Sequence, residues 1–522
     1  MARELQVAAR VASVNPATGE VLREFESAGQ SEVRAAVARA RAAQESWAAI
    51  GVRKRIAVLR EFQHRLQERK SEIAEAISCE AGKPVAEALT TEVLVVLDAA
   101  RFLIENAYRL LGDEALPHGN LATKLKRGQL VRQPYGVIGI ISPWNYPFSI
   151  PATETLAALV AGNAVVLKPS EFTSLVALEL KSILYAAGAL EDIFQVVVGD
   201  GRTGAALIDS SIDKLVFTGS VATGKGIALA AAGRLLPLVL ELGGKDPMLV
   251  LDDADVDVAS SAAVWGAFLN AGQACLSVER CYVHRSLYEA FLKACVEKTK
   301  KLRVGSGMDR EADVGPMIHE RQLRIVEAHV QDAVTRGARV LTGGSRLSEL
   351  GRNFYQPTVL ADVTHDMRVM REETFGPVLP VMAFASDEEA LRLANDSEYG
   401  LAASVWTGDH PRGERLARRI DAGTVMVNDV VSCFGISEAP HGGVKFSGVG
   451  RAHGRFGLEE MVRLKYVDVD LMPAVKKVWW YGYGAKFARQ MEGFLDMQFA
   501  RGGVARLRGA LRSAGVVRRK PL

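Results

Sequence analysis

The feature that most constrains this chain's fold is a series of short apolar runs beginning at Tyr135: GVIGIIS, NAVVLKPS, FQVVVGD, KLVFTGS, LPLVLELGG and PMLVLDD. They are rich in Val and Ile and are separated by turn residues and helical stretches. Runs without polar alternation predict strands buried on both faces, which requires crossover helices and a parallel sheet. A second series, CYVHRS, RVLTGG, LPVMAFAS, ASVWTGD and GTVMVND, predicts another α/β domain after about Gly243. Ahead of both, residues 29–113 carry apolar residues at helical spacing with glycines at the breaks, and predict successive helices. There is no internal repeat at solenoid period and no low-complexity linker between the halves.

One glycine cluster raises a question of its own. GDGRTG, Gly199 to Gly204, spells the GxGxxG dinucleotide fingerprint between a strand expected over Phe194 to Val198 and a helix. The full fingerprint also needs an acid about 20 residues on to hold ribose hydroxyls. Here the stretch after Asp213 reads KLVFTGSVATGKG. In a chain with 48 glycines the match is more simply a strand-to-helix turn.

At 522 residues, with 48% hydrophobic and 24% charged, the chain is long enough for two or three globular domains. The longest nearly apolar stretch, LAALVAGNAVVL, is too short to cross a bilayer, and the N-terminal sequence lacks the sustained apolar core of a secretory signal. Five cysteines, Cys79, Cys275, Cys281, Cys295 and Cys433, are few, odd in number and scattered. They predict reduced thiols in the cytoplasm and no metal site. Net charge is +3, yet from Pro473 onward eleven Lys or Arg face only Glu492 and Asp496, a balance of +9 that leaves −6 on the rest. That division gives a mildly acidic body, for which no nucleic acid partner is expected, and a strongly basic tail.

Three residues stand where chemistry is done. In NAGQACLSVERC, Cys275 lies among small residues that let a ligand approach a thiol closely, although a lone cysteine also reads as structural. In LVLELGGKDP, Glu241 ends an apolar strand, where partial desolvation raises a carboxyl toward the range of a general base; the alternative is a capping or ion-paired acid. In GVIGIISPWNYPF, Asn145 follows another apolar strand, and its amide is placed to donate to a developing oxyanion, or to serve as a turn residue.

Together these segments resemble the aldehyde dehydrogenase superfamily. The resemblance covers roughly Asn15 to Val467 and rests on motifs in family order: VNPATGE, GIISPWNYPF, NAVVLKPSE, FTGSVATG, LELGGKDP, NAGQACLSVER, EETFGPVL, YGLAASVW, GTVMVND and HGGVKFSGVGR. It implies a Rossmann-like NAD-binding domain (1–113 and 135–243) and an α/β catalytic domain (244–442). Residues 114–134 and 443–472 would supply a small oligomerisation hairpin and strand and the return to the cofactor domain, leaving 473–522 as a basic aromatic tail. On matching positions Cys275 is the nucleophile, Glu241 the general base, and Asn145 with the Cys275 amide the oxyanion hole. The implied reaction oxidises an aldehyde through a thiohemiacetal and a thioester, which Glu241 helps water to hydrolyse.

The same resemblance assigns the cofactor contacts. Lys168 and Glu171 match the pair on the adenosine ribose, Gly219, Ser220 and Gly224 the phosphate turn, Glu373 and Phe375 the nicotinamide side, and Trp144 the border of the channel. A carboxylate at Glu171 favours NAD, with NADP the less favoured alternative. Relatives acting on succinic semialdehyde carry an arginine where this chain has Thr153, followed by Glu154. That departure favours an uncharged aldehyde, medium- or long-chain, over a succinic-semialdehyde type. Homodimers or homotetramers are expected. Trp479, Trp480, Tyr481, Tyr483, Phe487, Phe494 and Phe499 alternate with basic residues in the tail, as in a helix lying on the inner face of an anionic membrane, or one packing on a neighbouring subunit or a tunnel mouth. A catalytically silent, structural member is the different-class alternative, but Cys275, Glu241 and Asn145 are all present.

Overall fold

The computed structural model describes residues 10–120 and 123–516. The chain forms two compact units, the first holding residues up to Gly112 together with Arg132–Arg463, the second Asp113–Val131 with Leu464 onward.

The first unit is built on two sheets. The six-stranded sheet runs in the order Gly448–Val449, Leu238–Glu241, Lys214–Thr218, Val137–Ile141, Ala164–Lys168, Phe194–Val196. All its neighbours are parallel except the short Gly448–Val449 pairing, which sets Gly448 opposite Glu241. Val137, Ile138, Ile140, Val165, Val166 and Val216 are fully buried, as runs apolar on both faces require; each contributes about 1.5–3 kcal/mol. The strands that follow Val137–Ile141 and Lys214–Thr218 lie on opposite sides of that central pair. Their carboxyl ends therefore open the crevice in which α/β sheets bind ligands.

The seven-stranded sheet runs Arg339–Thr342, Thr358–Ala361, Val378–Phe384, Val278–His284, Asp246–Val250, Ala402–Trp406, Thr424–Val427, parallel except for its first strand. PMLVLDD therefore belongs to this second sheet, although in sequence it continues the first series. Local texture cannot separate them, because Gly243 and Gly244 redirect the chain between two equally apolar strands.

Helices Gln30–Ala49, Val52–Glu68, Lys70–Ala81 and Leu94–Leu110 fill most of the predicted helical stretch. Buried polar groups on these helices and on the segments that join them position the turn that carries Asn145. The Glu92 carboxylate accepts N–H bonds from Phe148 and Ser149, both 2.9 Å, and so caps helix Ser149–Val160. Lys83 pairs with Glu92 at 2.8 Å and lies 3.8 Å above the Tyr146 ring. At the other end Arg55 Nε donates to Val160 O at 2.9 Å, and Trp47 Nε1 to Leu159 O at 2.8 Å. A hairpin at the N-terminus, Arg10–Val14 with Val21–Glu26, was not legible in sequence.

GDGRTG forms a strand-to-helix turn at the end of the edge strand Phe194–Val196, which stops short of the expected Val198. Asp200 spends its carboxylate on helix Gly201–Ile208, accepting from Arg202 N at 2.9 Å. The acid in this fingerprint is thus a helix cap.

The second unit holds a three-stranded sheet in the order Val462–Asp470, Lys126–Pro134, Glu114–Leu116, and a helical hairpin, Ala485–Phe499 and Gly503–Ser513. Within the hairpin a Cβ on Gly493 would stand 2.5 Å from Arg512 Cβ, so glycine is what lets the two helices approach. Leu495, Phe499, Val504, Leu507 and Leu511 remain exposed. Among the described residues no helix is long and apolar enough to cross a membrane.

Candidate active site

Six residues before strand Val278–His284, the chain ends a conformation that only tertiary contacts can hold. Asn270, Ala271 and Gly272 have φ of 52°, 54° and 72°, a left-handed run costing about 1 kcal/mol per non-glycine residue. Asn270 Nδ2 donates to Asn145 O at 2.9 Å and to Gln273 O at 3.1 Å, while Asn270 N donates to Glu87 at 3.1 Å. A Cβ on Gly272 would strike Gly376 O, so no other residue fits there. The run sets Cys275 at the junction of two cavities of the first unit.

The larger cavity, about 800 Å³, extends from Glu171 and Phe172 past Gly219 and Ser220 to Glu373, Phe375 and Trp144, and reaches Asn145, Glu241 and Cys275. The structure thus brings together every sequence-predicted site residue except Lys168 and Gly224, which stand behind its wall. Lys168 is buried and pairs with Glu171 at 3.5 Å; burial lowers its pKa, and Glu171 partly offsets that. Gly224 donates its N–H to Ser220 O, and a Cβ there would meet Leu242 at 2.5 Å. Gly219 N is likewise occupied by Glu241 O at 3.0 Å. Ser220 caps helix Val221–Ala232, its hydroxyl accepting from Thr223 N at 3.3 Å.

The loop that carries Glu373 and Phe375 is held by a buried acid that sequence reading missed. Glu279, paired with Lys245, accepts from Thr374 N at 3.0 Å and Phe375 N at 2.8 Å. Glu373 in turn accepts from Gly244 N at 3.0 Å, and burial raises its pKa to about 8. Phe375 meets Trp144 edge to face at 5.4 Å, and His319 joins that wall between Trp144 and Phe172. Nothing in the GPMIHE stretch marked His319 as a wall residue.

Around the thiol, Asn145 Nδ2 donates one N–H to Gln273 O at 3.1 Å, which fixes the amide and leaves its second N–H for the cavity. Glu241 is buried, neither carboxylate oxygen has a hydrogen-bond partner among the described residues, and His441 Nε2 lies 3.9 Å away. Burial, then the neighbouring Glu154, pushes the Glu241 pKa well up. Burial, followed by the negative charges of Asp246, Glu373 and Glu241, likewise raises the Cys275 thiol. The smaller cavity, about 250 Å³, leads away from Cys275 between Val95, Ile150, Trp265, Leu269, Leu276 and Phe434, and among the described residues no Lys, Arg, Asp, Glu or His lines it.

A thiol, an amide donor and a desolvated carboxylate on the wall of one cavity are a set of groups that can serve acyl chemistry on a carbonyl. Across residues 4–467 the sequence matches the profile described as the aldehyde dehydrogenase family. The chain belongs to that family. It is 41% identical over 486 residues to a 4,4'-diapolycopene aldehyde oxidase of a Methylomonas species, spanning 93% of this chain and 91% of the relative. A putative succinate-semialdehyde dehydrogenase [NADP(+)] of Mycolicibacterium smegmatis is 40% identical over 86% of each chain. Among solved structures, an aldehyde dehydrogenase from Bacillus cereus in complex with NAD+ superposes with a TM-score of 0.85, at 35% identity, covering 89% of this chain and 94% of that one. The chain is an NAD(P)-dependent enzyme that oxidises an aldehyde.

Proposed function

We propose that Cys275, Asn145 and Glu241 carry the reaction on an uncharged, lipophilic aldehyde with NAD as the preferred cofactor. The observation that carries this reading is the placement of Cys275 where the long polar cavity and the apolar cavity meet. The Cys275 thiolate adds to the aldehyde carbon, and the oxyanion so formed accepts hydrogen bonds from Asn145 Nδ2 and the Cys275 N–H. When bound, NAD supplies the acceptor for the hydride whose departure leaves a thioester on Cys275. Glu241 then takes a proton from water as the water oxygen adds to the thioester carbon. The C–S bond breaks, and Cys275 leaves as thiolate with the carboxylic acid released.

The residues fit a dinucleotide. Glu171, paired with Lys168 behind the wall, stands at one end for ribose hydroxyls, the helix start at Ser220 for phosphate, and Glu373 with Phe375 at the other end. The Glu171 carboxylate would repel a 2′-phosphate, which supports NAD over NADP.

For the aldehyde, the cavity beside Cys275 offers a dicarboxylic substrate no cation, and the Thr153 hydroxyl is turned to Ile150 O at 3.1 Å. The diapolycopene aldehyde named for one relative agrees with an apolar substrate, and that match is longer than residues 4–467, so it continues outside them. An NADH-coupled screen of aldehydes differing in chain length and terminal charge, run with NAD and NADP, tests the reading. Activity should rise with chain length, and succinic semialdehyde should rank low; if succinic semialdehyde proved best, the uncharged assignment would be wrong.

The domain boundaries given above are retained as part of this reading. Self-association would use the edge strand Val462–Asp470, where Leu464 and Tyr466 are exposed, giving dimers or tetramers that light scattering of Leu464→Glu would reduce. The basic hairpin of the tail, with Leu495, Phe499 and Leu511 exposed, would contact anionic lipid at the cytoplasmic face. Equal recovery on anionic vesicles of the full chain and one ending at Met472 would refute that contact.

A further inference from the structure

Helix Ser149–Val160 is apolar on nearly every face, yet it carries one acid, Glu154, which is 5% exposed. A carboxyl in such a place needs a partner or a proton. No ion pair to Glu154 is found among the described residues, and its one hydrogen bond is from the Thr218 hydroxyl to Oε1 at 3.2 Å, Oε2 having none. Thr218 is the direct register neighbour of Glu241 on the adjoining parallel strand. Glu154 and Glu241 therefore stand on either side of Thr218, and both line the large cavity. Behind Glu154 lies a water-sized cavity of about 30 Å³, shared with His453, whose ring nitrogens are also buried without partners.

We propose that Glu154 and Glu241 form a carboxyl pair that retains one proton between them, and that Glu154 thereby sets the strength of Glu241 as the hydrolytic base. Two carboxylates desolvated together cannot both ionise easily, so the charge on one holds the proton on the other. The pair makes no direct hydrogen bond, and coupling runs through the low-dielectric space around Thr218 and water in the cavity. Burial raises the Glu154 pKa to about 8, with the Thr218 bond acting weakly against it. Other titratable groups facing Glu241 do not neutralise the pair. Burial lowers His441 to about 3 and His453 to about 4, keeping both uncharged. Arg451 draws the Glu241 value down, Glu460 pushes it up, and each acts less than burial and Glu154 do. A base works best when its proton affinity is matched to the water it deprotonates, and Glu154 adds to the upward push that burial gives Glu241. Glu154 acts through Glu241 and is a positioning residue.

The inference rests on Glu241 being the base, and the experiment separates the two claims. Acyl-enzyme would be formed on wild type, Glu154→Gln, Glu154→Asp and Glu241→Gln, and both the NADH burst and the release of acid would be followed by rapid quench from pH 5 to 10. For Glu154→Gln the burst should stay within about twofold of wild type. Acid release should fall about tenfold, and its acid limb should move about one unit to lower pH, because Glu241 no longer has an ionisable neighbour. Glu154→Asp should recover part of both changes. An unchanged limb and release rate in Glu154→Gln, or a burst and release that fall together, would overturn the partnership. Wild-type release in Glu241→Gln would instead remove Glu241 as base, whatever Glu154 does.

Discussion

The two cavities that meet at Cys275 differ about threefold in volume and more sharply in what lines them. The larger gathers Glu154, Glu171, Glu241 and Glu373, two of them buried, while among the described residues the smaller has no carboxylate, lysine, arginine or histidine on its wall. Desolvation does chemical work on the first side, holding carboxyls near the pH at which they exchange protons. On the second side it does selective work, since every methylene that leaves water there contributes up to about 0.8 kcal/mol, near fourfold in binding.

The largest break in that comparison is at the junction. Cys275→Ala should keep the melting temperature within a few degrees and abolish both burst and turnover in an NADH assay. Asn145→Ala comes next. Its loss from the polar side should lower kcat by about 10²–10³ with little change in KM, as removal of an oxyanion donor does. The pH dependence of the burst sharpens the contrast. Because the thiol is raised by burial and negative neighbours, thiolate is scarce at neutral pH. The burst rate should therefore climb by up to about tenfold per pH unit across the neutral range. On the apolar side, Trp265→Lys, at a half-exposed position lining the smaller cavity, should raise KM for long uncharged aldehydes about tenfold and leave that for NAD unchanged. The smallest effect is expected at Glu171→Gln, a few-fold shift of kcat/KM toward NADP, with a bulky change at Ser220 raising the NAD KM more than the same change at Asp200.

Much of this was legible in the sequence because strands buried on both faces advertise themselves. The runs ending at Ile141, Thr218 and Glu241 placed the crevice, and Cys275, Asn145 and Glu241 followed from the motifs around them. What escaped depends on pairing across long sequence distances. Glu279 and Lys245 hold the Phe375 loop from another strand, and nothing local marks them. His319 joins the aromatic wall from a loop of ordinary composition. Glu154 was the one hidden residue with a readable signal, since an acid in a helix apolar all round has nowhere wet to point. GDGRTG is the converse case, read as a strand-to-helix turn and found as one. Its spelling is local, but the Asp200 carboxylate is already used on Arg202 N.

The left-handed run from Asn270 to Gly272 also bears on when the enzyme becomes reactive. An unfolded chain rarely samples three such residues in succession, and the groups that stabilise them, Asn145 and Glu87, lie more than a hundred residues away. Presentation of the thiol is therefore a late event in folding, completed only when distant segments have docked. A fragment spanning Val256 to His284 would carry the same cysteine as a loose thiol, without the Asn145 amide and the cavity walls that the folded chain sets around it.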